Sequence, residues 1–247
     1  MKYGVLSDIH GNLEAFETVL HTLEKAGVQR YLFCGDLVGY GPDPQACVDL
    51  YMKLKTAGLI EGVLGNHDAI FLHPELQQYF NEEALLSLDW SAQKLSKKSI
   101  QAISYLPEII QRKDFCIAHG TPRDPIKEYF FNSAQFEALY SDWSGQVLFV
   151  GHTHIPFYMQ GNAAGCHVHT IDEQQCITLQ PDFRYVINAG SVGKPRDNDI
   201  RASFGIWDSQ SHEFCFLRQS YDYHQTQAKM KAAGLPDLLV QSLSLGM

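Results

Sequence analysis

Two rhythms of apolar and polar positions divide the chain. Up to about residue 150, short apolar runs alternate with stretches of helical spacing, and each run ends abruptly in a polar, glycine-flanked cluster. Strands are expected at Tyr3 to Ser7, up to Cys34, at Leu59 to Leu64, Asp114 to Ala118 and Gln146 to Val150. Between the first two, Leu13, Phe16, Val19, Leu20 and Leu23 share a helical face, with Asn12 as N-cap and Gly27 as the stop. Asp43-Pro44 opens a second helix as N-cap and first-turn proline, ending by Gly58. From 69 to 112 the pattern is helical without a strand, with Ala84, Leu85, Leu88, Trp90 and Leu95 carried by a helix over Glu82 to Lys97 and a second short helix before Leu106-Pro107, and it reads as an insertion beside the strand-end clusters. Another helix is expected at about Asn132 to Trp143.

Beyond Pro156 the rhythm changes. Phe157 to Gln160, Cys166 to Thr170, Cys176 to Leu179, Tyr185 to Asn188, Phe204 to Asp208 and Glu213 to Arg218 read as short strands, several alternating in polarity, so this half is mostly antiparallel sheet. The tail from 222 to 247 is helical, and its apolar end either docks on the body or forms an oligomer contact.

At 247 residues and 45% apolar composition the chain suits one large core, and a single α/β domain over 1–247 is expected. The net charge of -9 argues against an extended nucleic-acid partner, whereas a small anionic substrate fits if metal ions supply positive charge. With neither a signal-like segment near Met1 nor a run long enough to span a bilayer, a cytoplasmic protein is expected. The six cysteines form no C-x-x-C pair, and free buried thiols are expected.

The clusters at the strand ends carry the chemistry. Asp36 is delivered to the end of a buried strand with no lysine or arginine near it in sequence, and a desolvated carboxylate requires a cation. The other ends supply Asp8 and His10, Asn66 and His67, His119, and His152 and His154, in an α/β arrangement whose crevice lies at the carboxyl ends of the strands. Alternate positions project together on an extended strand end, so Asp8 and His10 can reach one ion. Any one of these histidines alone reads as structural; five coincident clusters read as metal ligands.

Asp8-x-His10, Gly35-Asp36, Gly65-Asn66-His67-Asp68, His119 and Gly151-His152-x-His154 resemble the signature motifs of the calcineurin-like metallophosphoesterase superfamily. Asn188 to Arg196 is similar to a segment of its small bacterial and archaeal phosphodiesterase branch. The resemblance implies a four-layer α/β/β/α sandwich of two mixed sheets with flanking helices. It also implies a dinuclear centre, with Asp8, His10, Asp36 and His154 around one ion and Asp36, Asn66, His119 and His152 around the other. Two divalent ions about 3.5–4 Å apart activate a shared water and neutralise charge during in-line displacement. His67 is the expected catalytic residue. Mixed N and O ligands without thiolate suit Mn, Fe, Co, Ni or Zn rather than Mg or Ca alone, and of these Mn²⁺ is the expected metal.

Protein phosphatases of the superfamily carry an Asp and an Arg where this chain has Gly39 and Tyr40, so protein phosphatase activity is not expected, and Asp68 or Asp43 is the expected support for His67. Arg123, Lys194 and Arg196 are the candidate phosphate-binding cations, and Tyr129, Phe130 and Phe131 read as a core cluster or a substrate wall. These features point to a phosphoesterase acting on a small phosphodiester, with a nucleotide-derived one expected, and with some monoesterase activity. The alternatives are a dinucleoside polyphosphate hydrolase and a catalytically silent scaffold, with a nuclease last.

Overall fold

In the computed structural model, which describes residues 1–247, the alternating first half forms β1 (Lys2–Leu6), α1 (Leu13–Lys25), β2 (Arg30–Phe33), α2 (Pro44–Thr56) and β3 (Ile60–Gly62). Asn12 caps α1 as expected, its Oδ1 accepting from the Ala15 amide at 3.1 Å. Asp43 does not cap α2; its carboxylate takes Lys229 Nζ at 2.9 Å instead, which ties the tail to this helix. The insertion contains α3 (Asn66–Ala69), a 3-10 turn over Pro74–Tyr79, α4 (Glu82–Lys94) and α5 (Lys97–Ser104). The helix expected over Glu82 to Lys97 ends earlier, at Lys94, and the second short helix expected before Leu106-Pro107 is α5, which Ser96 caps through the Ser99 amide. The insertion is also not wholly helical. It ends in β4 (Ile109–Gln111), a three-residue strand too short to leave a period, which pairs antiparallel with β5 (Phe115–Ala118).

The remaining elements are α6 (Ser133–Leu139), β6 (Val147–Val150), β7 (Phe157–Asn162), β8 (Gly165–Thr170), β9 (Gln175–Thr178), β10 (Arg184–Asn188), β11 (Ala202–Asp208), β12 (Glu213–Gln219), α7 (Tyr223–Ala232) and α8 (Asp237–Ser242). One six-stranded sheet runs β3-β2-β1-β11-β12-β9 and the other β4-β5-β6-β10-β7-β8. In the first, β1, β2 and β3 are parallel; in the second, β5, β6 and β10 are.

Alternation along the strands builds the layers. Val5 and Leu32 of the first sheet meet Ile117, Phe149 and Ile187 of the second in the seam between the sheets. Their neighbours Leu6 and Phe33 point the other way, against Phe16 and Val19 of α1 and Tyr51 of α2. On the far side Cys116, Leu148 and Val186 pack against Phe136 and Trp143. Strands buried on both faces explain runs that are apolar throughout rather than alternating. The result is the α/β/β/α sandwich, with the carboxyl ends of both parallel sets at one edge.

α7 and α8 dock on the body. Met230, Leu235, Leu239, Val240 and Leu243 pack with Tyr40 and with Ala84 of α4, so this face of the tail is covered within the chain, while Leu238, Leu245 and Met247 are exposed. One expectation about the cysteines is overturned: Cys176 and Cys215 form a disulfide. The register of β9 against β12 sets them directly opposite, a pairing across 39 residues that no sequence spacing announces. Cys34, Cys47 and Cys116 are free and buried, and Cys166 is free and half-buried.

Candidate metal centre

The five strand ends meet. Asp8 follows β1, Asp36 follows β2, Asn66 opens α3 after β3, His119 follows β5, and His152 and His154 follow β6. Their backbone turns sharply: Asp8, His10, Asp36, Tyr40, His152 and His154 all have positive φ, between 50° and 69°, and only two other non-glycine residues of the chain do. Such conformations are costly for side chains with a Cβ, and they collect where a fold fixes its chemistry. Asp68 holds the turn after β2, accepting from the amides of Gly65, Asp36, Leu37 and Val38 at 2.9–3.2 Å. Glycine is required beside it, because a Cβ on Gly65 would lie 2.1 Å from Asp36 Oδ1.

Two groups of donors share Asp36. Ligand atoms of Asp8, His10, Asp36 and His154 lie within 4.8 Å of one another, as do those of Asp36, His119 and His152, all buried. Asn66 Oδ1 joins the second group, 2.9 Å from His119 Nε2. Asp36 Oδ2 stands 3.5 Å from His10 Nε2 and 3.3 Å from His119 Nε2, and so belongs to both.

The hydrogen-bond network fixes what these atoms are. Nδ1 of His10 faces the Val38 carbonyl at 3.0 Å and Nδ1 of His154 faces the Lys194 carbonyl at 2.6 Å. A carbonyl only accepts, so each Nδ1 carries the hydrogen and each Nε2 presents a lone pair. Burial holds both rings well below the usual imidazole range, hence neutral. The two Nε2 atoms are nevertheless 3.1 Å apart, acceptor against acceptor. In the second group His119 donates from Nδ1 to the Cys34 carbonyl at 2.7 Å, and His152 donates from Nε2 to the Lys127 carbonyl at 3.3 Å. That sets His119 Nε2 against His152 Nδ1 at 3.1 Å. The buried Oδ2 atoms of Asp8 and Asp36 have no hydrogen-bond partner.

Lone pairs converging in this way fit cations. Imidazoles whose other nitrogen donates to a backbone carbonyl are typical metal ligands. Ionisation shows the same demand. Burial pushes the Asp8 carboxyl up to about 7 against the pull of His119. Burial also acts to raise Asp36, but His119 and His67 outweigh it and hold that carboxyl below its usual range. Burial alone would lower His119, and Asp36 overrides it to about 9. A proton on His119 answers the second group; nothing of the kind answers His10 and His154.

A cavity of about 400 Å³ opens above the donors. His67 lines it, its amide donating to Asp36 Oδ1 at 2.9 Å. Neither Asp68 nor Asp43 touches the His67 ring, contrary to expectation, because each is engaged elsewhere. Instead the ring packs against Tyr40, His10 and Phe80 at 4.5, 4.7 and 4.9 Å between centroids. Its Nδ1 is buried without a partner, and burial pushes the ring down to about 4 against the pull of Asp36. Gly39 makes room for it, since a Cβ there would lie 2.3 Å from Nδ1.

Lys194 and Arg196 line the same cavity, whereas Arg123 does not: it pairs with Asp142 at 2.7 Å on the surface. Of the three aromatics, Phe130 is core, Phe131 is exposed away from the cavity, and Tyr129 lines it, stacked on His152 at 3.8 Å. Tyr79, Phe80 and Asn81 from the insertion and Leu239 from α8 complete the wall. The reading of 69–112 as an insertion beside the strand-end clusters pointed to this segment, but nothing in the sequence singled out these residues or Leu239.

Fold and site together define a metallophosphoesterase, a hydrolase of phosphoric esters built on a buried His/Asp cluster that can hold a dinuclear metal site. A sequence model described as calcineurin-like phosphoesterase matches residues 1–187. An uncharacterised protein of Methanocaldococcus jannaschii is 34% identical over 247 residues, covering 98% of this chain and 97% of that one. The crystal structure of a metallophosphoesterase from Sphaerobacter thermophilus is 32% identical, with a TM-score of 0.84 and full coverage of both chains. A hypothetical protein from Pyrococcus horikoshii shares the fold at 18% identity, with a TM-score of 0.82 over 100% of this chain and 98% of that one. The chain belongs to the calcineurin-like phosphoesterase family.

Proposed function

We propose that this protein hydrolyses a small, nucleotide-derived phosphodiester, using two divalent transition-metal ions with Mn²⁺ favoured. The observation that carries the reading is the pair of opposed acceptors His10 Nε2 and His154 Nε2, with His119, His152 and Asn66 gathered on the same Asp36 Oδ2, beneath a cavity with a cationic and aromatic wall. One ion would be held by Asp8, His10, Asp36 and His154, the other by Asp36, Asn66, His119 and His152. When bound, such a pair supplies Lewis acidity, an acidified water and neutralisation of phosphoryl charge.

The chain's own residues supply orientation. His67 is neutral near pH 7, and its ring, fixed by Tyr40 and Phe80, offers a hydrogen bond to a phosphoryl or leaving-group oxygen in the cavity. The Asp36 carboxylate binds the His67 amide through Oδ1, so the position of this ring is coupled to the shared ligand. Tyr129, stacked on His152, offers a face for a base or aryl group.

Assays with bis(p-nitrophenyl) phosphate and diadenosine tetraphosphate in the presence of Mn²⁺ test the reading. Faster turnover of the diester supports it. Faster turnover of the tetraphosphate moves the activity to phosphoanhydrides. Turnover of neither, in protein shown to contain metal, leaves a silent scaffold.

A further inference from the structure

Two exposed tyrosines line the cavity above the donors. Tyr79, 63% exposed, ends the 3-10 turn of the insertion, and Tyr129, 43% exposed, lies in the loop between β5 and α6. The other aromatic side chains of the wall, Tyr40 and Phe80, pack on the His67 ring. Exposed rings scattered singly are ordinary. Rings brought from separate segments to one concave site beside polar groups are the usual lining of a ligand pocket.

Both rings are held in place. Tyr129 lies nearly parallel to the His152 imidazole, at 3.8 Å and 16°, and its carbonyl accepts from Gln135 Nε2 at 2.7 Å. Lys127 links the two tyrosines. Its carbonyl accepts from His152 Nε2 at 3.3 Å, while its ammonium, paired with Asp124 at 3.2 Å, stands 5.7 Å from the centroid of the Tyr79 ring. The insertion therefore reaches the β5–α6 loop at the mouth of the cavity, and rings fixed in advance cost less to order when a ligand binds. Asn81 adds a polar group to this wall. Its Oδ1 caps α4 by accepting from the Ala84 amide at 2.9 Å, and its Nδ2 donates to no group of the protein. A plain aryl ring offers that donor no acceptor, whereas a nucleobase carries several on its edge.

We propose that Tyr79 and Tyr129 together take the planar base of the substrate, with Asn81 donating to its edge, so that the insertion selects phosphoesters of nucleosides over those of sugars. The inference rests on the phosphoesterase reading of the adjoining centre and deepens it by assigning the base to named residues.

Equilibrium binding tests the assignment. Mn²⁺-loaded protein is titrated calorimetrically with the methylenephosphonate analogues of AMP and of ribose 5-phosphate, whose C–P bond is not hydrolysed. The adenosine compound is expected to bind about fivefold or more tightly, the lower end of what one stacked base contributes. Tyr79→Leu and Tyr129→Leu should each lower that preference severalfold, while Tyr79→Phe, which keeps a ring, retains it. Asn81→Ser, which keeps an oxygen for the cap, should lower it in part. Metal content is measured alongside, because Tyr129 touches the expected ligand His152. Equal affinity of the wild type for the two analogues overturns the site, as does a preference that survives either leucine variant in folded protein or falls as far in Tyr79→Phe. A preference unchanged in Asn81→Ser overturns the choice of a base over a plain aryl group. Turnover of bis(p-nitrophenyl) phosphate with no preference for the base would end this inference alone, and a base preference in protein that turns over neither assay substrate would end the hydrolytic reading alone.

Discussion

Asp36 has two oxygens with separate partners: Oδ1 accepts from the His67 amide, and Oδ2 faces Nε2 of both His10 and His119 with no hydrogen bond of its own. Asp36→Asn keeps an oxygen for the amide and removes the charge common to both donor groups. It should lower activity by more than about 100-fold, beyond what loss of an outer partner of a ligand costs. Metal analysis should find less than the wild-type content, while circular dichroism stays unchanged. Gly39 gives a contrasting case. At φ +89, a Cβ would also meet the His67 ring, so Gly39→Ala is expected to cost about 1–3 kcal/mol in denaturant melts and to lower kcat with metal content retained. Loss of metal in that variant would show that the His67 ring supports the ligands rather than the reaction. The donors themselves were legible in the sequence because each is a polar residue where an apolar run stops. Their left-handed backbones were not, since nothing in an Asp or His at such a position advertises positive φ.

At the scale of elements, α4 reaches the site through Ala84, which packs on Tyr40 and lines the cavity, and through one buried hydrogen bond. Ser87 Oγ accepts from the Tyr40 amide at 3.1 Å and donates to the Ala84 carbonyl at 2.7 Å. Ser87→Ala leaves that amide without a partner, at a cost of about 1–3 kcal/mol, measurable by urea unfolding. Because Tyr40 also carries Arg196, the same variant should raise KM more than it lowers kcat; an unchanged KM would show that the Ser87 hydrogen bond does not set the position of Arg196. Amphipathic spacing made α1 legible, since one face packs on a sheet. The two helices of the insertion were legible, with only their boundary misplaced because apolar spacing continues up to Ser96, whereas β4 was hidden because three residues carry no period. The Cys176–Cys215 bridge depends on the register of the edge strand β9 against β12, which exists only once the sheet is assembled.

Across the whole molecule, the donor set spans both sheets: Asp8, His10, Asp36 and Asn66 come from the ends of β1, β2 and β3, while His119, His152 and His154 come from β5 and β6. Cations bound there hold the two sheets at one edge, and in the unfolded chain the same residues are too far apart to bind as a set. Binding to the folded state alone stabilises it by mass action, by about 2.7 kcal/mol for each ion present at 100 times its Kd. Thermal unfolding should therefore rise with Mn²⁺ concentration from a chelator-treated baseline and fall again with added EDTA. Asp36→Asn should flatten the whole dependence because it removes a ligand from both groups, whereas His152→Ala, confined to the second, should flatten part of it. A midpoint indifferent to the metal in the wild type would mean that the opposed imidazoles are satisfied without a cation, and the dinuclear reading would fail with it.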